Sequence, residues 1–251
     1  MTLPPEILGT ILEHIPIDKQ GQQTLIACAL VATWWTGPSQ RRLFSSVTID
    51  NVTYQRWMDG IATPGSKSHL LEYVRSLQHH LAQVTNTGHW MRHLHNVHSL
   101  SLFGIRIGRA SVEEFRNCFS VFRETLTNLT LEHFVTSFSA FVTLVDYFPN
   151  LTGLRLGLFE VKPGEGLVPP LSRPLRGRIY LRCADNRCAE FFDRLAKLDP
   201  QYEELILESG HRVEWELVES LLQLCASTVK YLRLITKIQR EYSYEYIRRT
   251  L

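Results

Sequence analysis

The sequence has no long apolar run and no strong excess of charge of either sign. The longest stretch without charged residues, 20–40, holds an apolar segment of only Leu25–Trp35, whereas a membrane-spanning helix needs about 20 apolar residues. The 27 Lys and Arg residues nearly balance 25 Asp and Glu, for a formal net charge of +2. We therefore expect neither a membrane partner nor a nucleic-acid partner.

Signals for secretion are also missing. The five cysteines are odd in number and far apart along 251 residues, which is typical of free thiols in a reducing compartment. Two prolines and Glu6 stand where a secretory signal peptide would begin. With 44% hydrophobic residues the chain can bury a full core. We expect a folded cytoplasmic or nuclear protein.

The common sequence motifs of catalytic sites are absent as well. There is no Gly-x-Ser-x-Gly, no P-loop and no Gly-x-Gly-x-x-Gly. Six of the ten histidines lie between 79 and 98, but no cysteine or carboxylate accompanies them, so a solvated loop is expected there rather than a metal site. We expect no enzyme activity, no cofactor and no metal.

What the sequence does contain is a repeat. The pattern apolar-x-x-apolar-x-apolar, in places weakened, occurs eight times at intervals of 23–30 residues. The middle positions of the copies are Val47, Leu77, Leu100, Leu129, Leu154, Ile179, Leu205 and Leu232. Each copy is short and alternating, as expected of a strand with one buried face. Regular spacing of such strands predicts structural units that stack.

Helical patterns lie between the later strands. Apolar spacing predicts helices over 112–122, 138–148, 191–198 and 213–224, with Ser137 placed to cap the second. Strands joined by such crossovers run parallel. The predicted fold is therefore α/β, with residues 46–251 forming an irregular leucine-rich-repeat-like solenoid that has parallel strands on its concave face and helices outside.

The repeat departs from the usual leucine-rich form. Phe134 and Phe159 stand where such repeats carry asparagine after the strand, so the backbone there must find other hydrogen-bond partners. Long surface loops are predicted near 83–98 and 161–177. Residues 237–251 are expected to begin another helix, which would make the repeat region shortened at its C-terminus.

Residues 1–45 do not follow the repeat. An apolar stripe of Ile7, Leu8, Ile11, Leu12 and Ile15 follows two prolines, which is a helix start signal. A second helix is predicted over 24–35. This part of the chain is expected to be a separate helical module.

The module resembles an F-box. The first half of the F-box pattern is matched by Leu3, Pro4, Glu6, Ile7, Leu8, Ile11, Leu12 and Ile15, the loop aspartate by Asp18, and the second half by Leu25, Cys28, Leu30, Val31 and Trp35. The usual cysteine after the valine is replaced by Ala32, a small residue for a small residue. The continuation through Pro38, Arg41, Arg42, Leu43, Phe44, Val47 and Ile49 is similar to the large fungal group of F-box proteins.

The resemblance implies binding to the Skp adaptor of SCF-type ubiquitin ligases. It places at that interface Leu3, Pro4, Ile7, Leu12, Ile15, Leu30, Val31 and Trp35. An apolar stripe on a short module also favours a partner, because it costs solubility unless it is covered. The alternative is that part of this set merely closes the core of the module.

The residues that alternate with the buried leucines are predicted to share the concave face. The candidate target-binding residues on that face are Phe103, Arg155, Arg178, Tyr180, Arg182, Glu208, Tyr231 and Arg233. Clustered arginines suit acidic or phosphorylated peptides. A solvated face with Arg–Glu cross-strand pairs fits the same residues equally well.

The sequence thus predicts a non-catalytic substrate-receptor subunit of an SCF-type cullin–RING ubiquitin ligase. Its F-box would bind the Skp adaptor, and its repeats would hold an unknown protein substrate at high effective concentration. The alternatives are a stand-alone leucine-rich-repeat scaffold with a vestigial F-box and, with less support, an α/β enzyme with an unrecognised site.

Overall fold

The computed structural model describes most of the chain, namely residues 4–50, 53, 68–80, 91–104, 106–107, 109–162, 169–183, 191, 194–195, 197–198, 200–209, 219, 222–223, 227–238 and 241–247. Among these residues the protein has five α-helices and two β-sheets, the larger of which is mainly parallel. The fold is α/β, as the sequence predicts.

Three helices come first. They are α1 (Pro5–Glu13), α2 (Lys19–Val31) and α3 (Thr33–Leu43). Asp18 caps α2, because its Oδ1 accepts a hydrogen bond from the Gly21 N–H at 2.7 Å. The helix predicted over 24–35 is wrong as a single element. Ala32 adopts an extended conformation (φ −158°, ψ 151°), which ends α2 and starts α3.

The helices share a small core of their own. Leu8, Leu12 and Leu25 are fully buried in it. The side chain of Arg42 ties α3 to the end of α1, donating hydrogen bonds to the carbonyls of Glu13 and Ile15 at 3.0 and 3.1 Å. A cation at a helix C-terminus also suits the helix dipole.

The main sheet has nine strands in sequential order. They are β1 (Ser46–Ile49), β2 (Ser76–His79), β3 (Ser99–Phe103), β5 (Asn128–Glu132), β7 (Gly153–Gly157), β9 (Arg176–Cys183), β10 (Gln201–Ser209), β11 (Tyr231–Ile238) and β12 (Glu241–Ile247). A second sheet of three short parallel strands contains β4 (Arg106–Ile107), β6 (Val135–Ser137) and β8 (Glu160–Lys162). In the main sheet each neighbouring pair is parallel up to β11, and β12 is antiparallel.

The eight repeat positions form one continuous row across the main sheet. Each is the direct register partner of the next, through Val47, Leu77, Leu100, Leu129, Leu154, Ile179, Leu205 and Leu232. The spacing therefore identified the eight strands correctly. One row of aliphatic side chains on the same side of every strand gives the sheet its buried face.

Helices α4 (Arg109–Phe119) and α5 (Phe138–Asp146) confirm two of the predicted crossovers. The Ser137 hydroxyl oxygen caps α5 by accepting from the Ala140 N–H at 3.3 Å. Phe191 and Leu195, from the third predicted helix, are buried. Most of the fourth, 213–224, lies outside the described residues.

Three neighbouring strands of the main sheet, β3, β5 and β7, are each followed by a turn that contains a residue in the left-handed conformation. Gly104, His133 and Leu158 have φ values of 72°, 52° and 48°, and each donates its N–H to a carbonyl of the next repeat, at 3.0, 2.9 and 3.2 Å. Phe134 and Phe159 follow two of these turns and stack at 5.7 Å between ring centroids. Main-chain bonds and buried phenyl rings therefore take the place of an asparagine ladder.

Two further local predictions are wrong. Residues 241–247 form β12, antiparallel to β11, and not a helix. Tyr242, Tyr244 and Tyr246 recur at every second position, and this period of two is the period of a strand. His79 is fully buried in β2 and is not part of a solvated loop.

The two predicted loops are described only in part. Residues 81–90 and 163–168 lie outside the described residues. Met91, Leu94 and Val97, inside the first predicted loop, are buried in the core of the main sheet, so the prediction of a surface loop is wrong at these residues. The second prediction overlaps the end of β8 (Glu160–Lys162) and the start of β9 (Arg176–Cys183), and it is wrong over those residues.

Candidate docking and target-binding surfaces

The helical segment exposes most of the large apolar side chains found at the surface. Among the described residues eight such side chains are exposed, and seven of them lie between residues 7 and 34. They are Ile7, Ile11, Ile17, Ile26, Leu30, Val31 and Trp34. An apolar concentration of this kind on a short module is typical of an interaction surface.

The most exposed of these residues lie where α2 meets α3. Leu30 is 82% exposed and Val31 73%. Ile26 shares a helix face with Leu30, because they are four residues apart on α2, and Trp34 is in the first turn of α3. These four residues are called the α2–α3 patch below.

The adaptor-binding residues predicted from the F-box resemblance differ in how exposed their side chains are. Pro4, Ile7, Leu30 and Val31 are exposed. Ile15 and Trp35 are half-buried against the small core. Leu3 lies outside the described residues.

Leu12 requires a correction. It is 1% exposed, since it follows Leu8 by one helical turn on the face of α1 that packs in the core with Leu25. A side chain with no exposed area contributes to the stability of the module and not to a docking surface.

The predicted adaptor-binding set leaves out four of the exposed apolar residues, Ile11, Ile17, Ile26 and Trp34, although Ile11 belongs to the predicted apolar stripe. Helical spacing alone pairs Ile26 with Leu30 and Ile11 with Ile7. Which of the neighbouring stripes faces inward depends on how the three helices pack.

The exposed face of the main sheet changes character along its length. From β1 to β5 its middle row consists of Thr48, Gln78, Ser101 and Thr130. From β7 to β11 the same row consists of Arg155, Tyr180, Ile206 and Arg233. The charged, aromatic and aliphatic side chains of this middle row are therefore on β7 to β11.

A chain of contacts connects β5, β7, β9 and β10 on the exposed face of the sheet. The Arg155 Nε lies 3.1 Å from Glu132 Oε1, and the Arg155 guanidinium lies 4.1 Å from the Tyr180 ring centroid. The Tyr180 hydroxyl donates a hydrogen bond to Glu208, whose other carboxylate oxygen is 3.4 Å from Arg182 Nε.

A third ion pair lies on the same two strands, β9 and β10, with Arg178 Nε 2.5 Å from Glu204 Oε2. These six charged residues and Tyr180 are called the Arg–Glu network below. Three of the four arginines predicted on this face, Arg155, Arg178 and Arg182, thus pair with a glutamate on a neighbouring strand. The cross-strand pairs of the second sequence interpretation are present.

The remaining predicted residues of this face border the network. Phe103 is the register partner of Glu132 and stacks on His80 with ring centroids 4.1 Å apart. Tyr231, which is exposed, is the register partner of Glu204. Arg233 is half-buried opposite Ile206.

The described groups with a resolved pKa shift lie away from both surfaces. Burial lowers the pKa of His79 to about 4, and the charge of His80 adds to the effect. Burial also lowers the pKa of Arg173, whose guanidinium donates hydrogen bonds to the carbonyls of Phe148 and Leu151. Within the described part of the chain, no cluster of three or more His, Cys, Asp or Glu is placed to hold a metal ion.

Comparison with known proteins adds no assignment. No protein-family model and no curated protein matches the chain. None of the helices described here combines the length and the apolar character that crossing a membrane requires. The function is therefore argued from the two surfaces and from the residues that carry the F-box resemblance.

Proposed function

We propose that this protein is a non-catalytic substrate receptor of an SCF-type cullin–RING ubiquitin ligase. In this proposal residues 1–45 are an F-box that docks on the Skp adaptor. Residues 46–251 form a leucine-rich-repeat-like arc that holds a target protein. The protein contributes no reacting group, and acts by raising the concentration of the target beside the ubiquitin-charged enzyme.

The observation that carries the proposal is the α2–α3 patch. Leu30 and Val31 match the second half of the F-box pattern, and both are largely exposed in the isolated chain. Covering such side chains is worth about 1.5–3 kcal/mol each. A few well-packed residues carry most of the binding energy of a typical interface, and tryptophan, which the patch supplies at Trp34, is enriched among them.

The sheet supports the second half of the proposal. One strand per 23–30 residues, all in one register, is the arrangement that stacked leucine-rich units produce. The exposed face is lined from β7 to β11 by arginine and tyrosine, which are enriched at binding hot spots.

The test is capture of the Skp adaptor by the full chain and by the double variant Leu30→Asp/Val31→Asp. We expect the wild-type chain to capture the adaptor and the double variant to lose at least about 100-fold in affinity, since two apolar contacts are replaced by buried charges. Tyr231→Asp is the matched control, because Tyr231 is exposed on the sheet, and it should bind as the wild type does.

Circular dichroism of each variant checks that the fold is intact. A folded wild-type chain that does not bind the adaptor would contradict the proposal. That result would favour the stand-alone repeat scaffold. Equal binding by the wild type and the double variant would show that the α2–α3 patch is not the docking surface.

A further inference from the structure

The three ion pairs of the Arg–Glu network share an asymmetry. In each pair the arginine side chain is more exposed than its glutamate partner: 48% against 10% for Arg155 and Glu132, 64% against 29% for Arg178 and Glu204, and 33% against 13% for Arg182 and Glu208. The carboxylates lie low against the sheet, and the guanidinium groups lie above them. The network is neutral in total but presents cations to solvent.

Contacts with neighbouring residues explain why the Glu132 and Glu208 carboxylates lie close to the sheet. Glu132 is the register partner of Gly157, and a Cβ on Gly157 would overlap the Glu132 carboxylate. The missing side chain gives this carboxylate room on the floor of the sheet. Glu208 is held by Tyr180 and Arg182 together. Each arginine engages its glutamate through Nε, so the carboxylates orient the guanidinium groups.

The three guanidinium groups are spaced for an extended chain. Arg178, Tyr180 and Arg182 follow each other at alternate positions of β9, so Arg178 and Arg182 are separated by about 13 Å at 3.3 Å per residue. Arg155 is the register partner of Tyr180 on β7 and stacks on its ring. Three cations are therefore available within a length that about five residues of an extended peptide would cover.

We propose that this part of the sheet binds an extended acidic segment of the target, whose carboxylates at alternate positions meet Arg178, Arg155 and Arg182. The inference rests on the proposed function, which gives this face to the target. Arginine is well suited to carboxylates, because its planar fork donates two parallel hydrogen bonds.

The glutamates beneath favour a carboxylate over a phosphate. A phosphate group carries about −1.5 to −2 charges at neutral pH, and the low-lying Glu132, Glu204 and Glu208 repel a dianion more than a single negative charge. The balance of three arginines and three glutamates also gives little long-range attraction for a polyanion such as nucleic acid. An acidic peptide is the occupant that fits both the spacing and the charge.

The test uses the full chain and a fluorescein-labelled peptide of about twelve residues in which Glu and Ser alternate. A Gln–Ser peptide of the same length is the matched probe without charge. By fluorescence anisotropy we expect binding of the Glu–Ser peptide with a Kd below about 1 mM and no binding of the Gln–Ser peptide. Arg155→Ala/Arg178→Ala should weaken binding at least about tenfold.

Arg123→Ala is the control variant, because Arg123 is exposed and pairs with Glu124 away from this face, and it should bind as the wild type does. Glu132→Gln gives a second, independent reading. Removing one carboxylate beneath Arg155 should tighten the binding of the Glu–Ser peptide, and unchanged or weaker binding would count against the proposed role of the carboxylates.

Several results would overturn the inference. They are equal binding of the Gln–Ser peptide, no saturation up to about 1 mM, no effect of the double substitution, and tighter binding of a phosphoserine–Ser peptide or of a thymidine oligonucleotide. Capture of the Skp adaptor is measured on a different surface. A chain that binds the adaptor but not the Glu–Ser peptide would refute this inference and leave the proposed function standing.

Discussion

The helical segment and the main sheet treat their surfaces in opposite ways. The segment buries three leucines fully and leaves seven large apolar side chains exposed. The sheet has a continuous core from Val47 to Leu207 and covers its exposed face from β7 to β10 with paired charges. The sheet buries its apolar side chains in a core of its own, whereas the helical segment has more apolar surface than its own core covers.

This contrast shows which contacts stabilise each region. The sheet derives stability from its own contacts, so substitutions in its core are expected to be costly for folding. The α2–α3 patch contributes little in the isolated chain, because exposed side chains gain little from burial. Its residues are expected to matter for binding and not for stability.

The largest effect is expected in the sheet core. Phe141 on α5 is 1% exposed and lies against Phe138 and Phe191, with ring centroids at 6.1 and 5.2 Å. Phe141→Ala should lower the free energy of unfolding by about 3–5 kcal/mol, measured by urea denaturation. Ile26→Ala, in the α2–α3 patch, should stay within about 0.5 kcal/mol of the wild type. Similar costs for both would abolish the contrast between the regions.

The next effect is a dependence of stability on pH that originates in the sheet. His79 has an ordinary pKa of 6.5 and a folded-state pKa of about 4, because burial disfavours its charged form and His80 adds to this. Between these two pH values the unfolded chain therefore binds a proton at His79 that the folded chain does not bind. Above pH 6.5 His79 is neutral in both the folded and the unfolded chain and costs no stability. As the pH drops towards 4, the free energy of unfolding falls by up to about 3 kcal/mol.

Urea midpoints at pH 7 and pH 4.5 measure this dependence in the wild type and in His79→Leu. The variant should lose less stability than the wild type between the two values, since its side chain takes up no proton. Carboxylates titrate in both proteins and cancel in the comparison. An equal loss in the two proteins would assign the acid sensitivity to other groups.

The smallest effects come from two glycines, one in each region. A Cβ at Gly157 would overlap the Glu132 carboxylate, whereas a Cβ at Gly9 on α1 has nothing within 4 Å. Gly157→Ala should cost about 1–3 kcal/mol through crowding. Gly9→Ala should stabilise by about 0.5–1 kcal/mol, because alanine favours a helix. Thermal denaturation gives both values, and destabilisation by Gly9→Ala would show that α1 is packed more tightly than described here.

The strands could be predicted from the sequence because two signals agree. The alternation of apolar residues and the interval between copies both identify strands at Val47 through Leu232, and the same row fixes the register. The prediction over 237–251 was wrong because the apolar residues Tyr242, Tyr246 and Ile247 also fit helical spacing. In the structure, pairing with β11 selects the strand.

The surfaces were less predictable for a different reason. The apolar stripe on α1 is wide, so the sequence pattern alone does not predict which of its residues are buried. In the structure Leu12 faces inward and Ile7 faces outward. On the sheet, alternation places Arg155 and Glu132 on one face. It does not reveal that the glutamate lies low beside Gly157 and the arginine above it. Both properties depend on neighbours that are distant in sequence.

Hydrogen exchange of the full chain with and without the Skp adaptor tests directly whether the helical segment docks. We expect the adaptor to slow exchange of the backbone amides in residues 26–34 and to leave those of β3, β5 and β7 unchanged. Protection confined to the sheet, or no protection anywhere at saturating adaptor, would contradict the claim that the helical segment is the docking module.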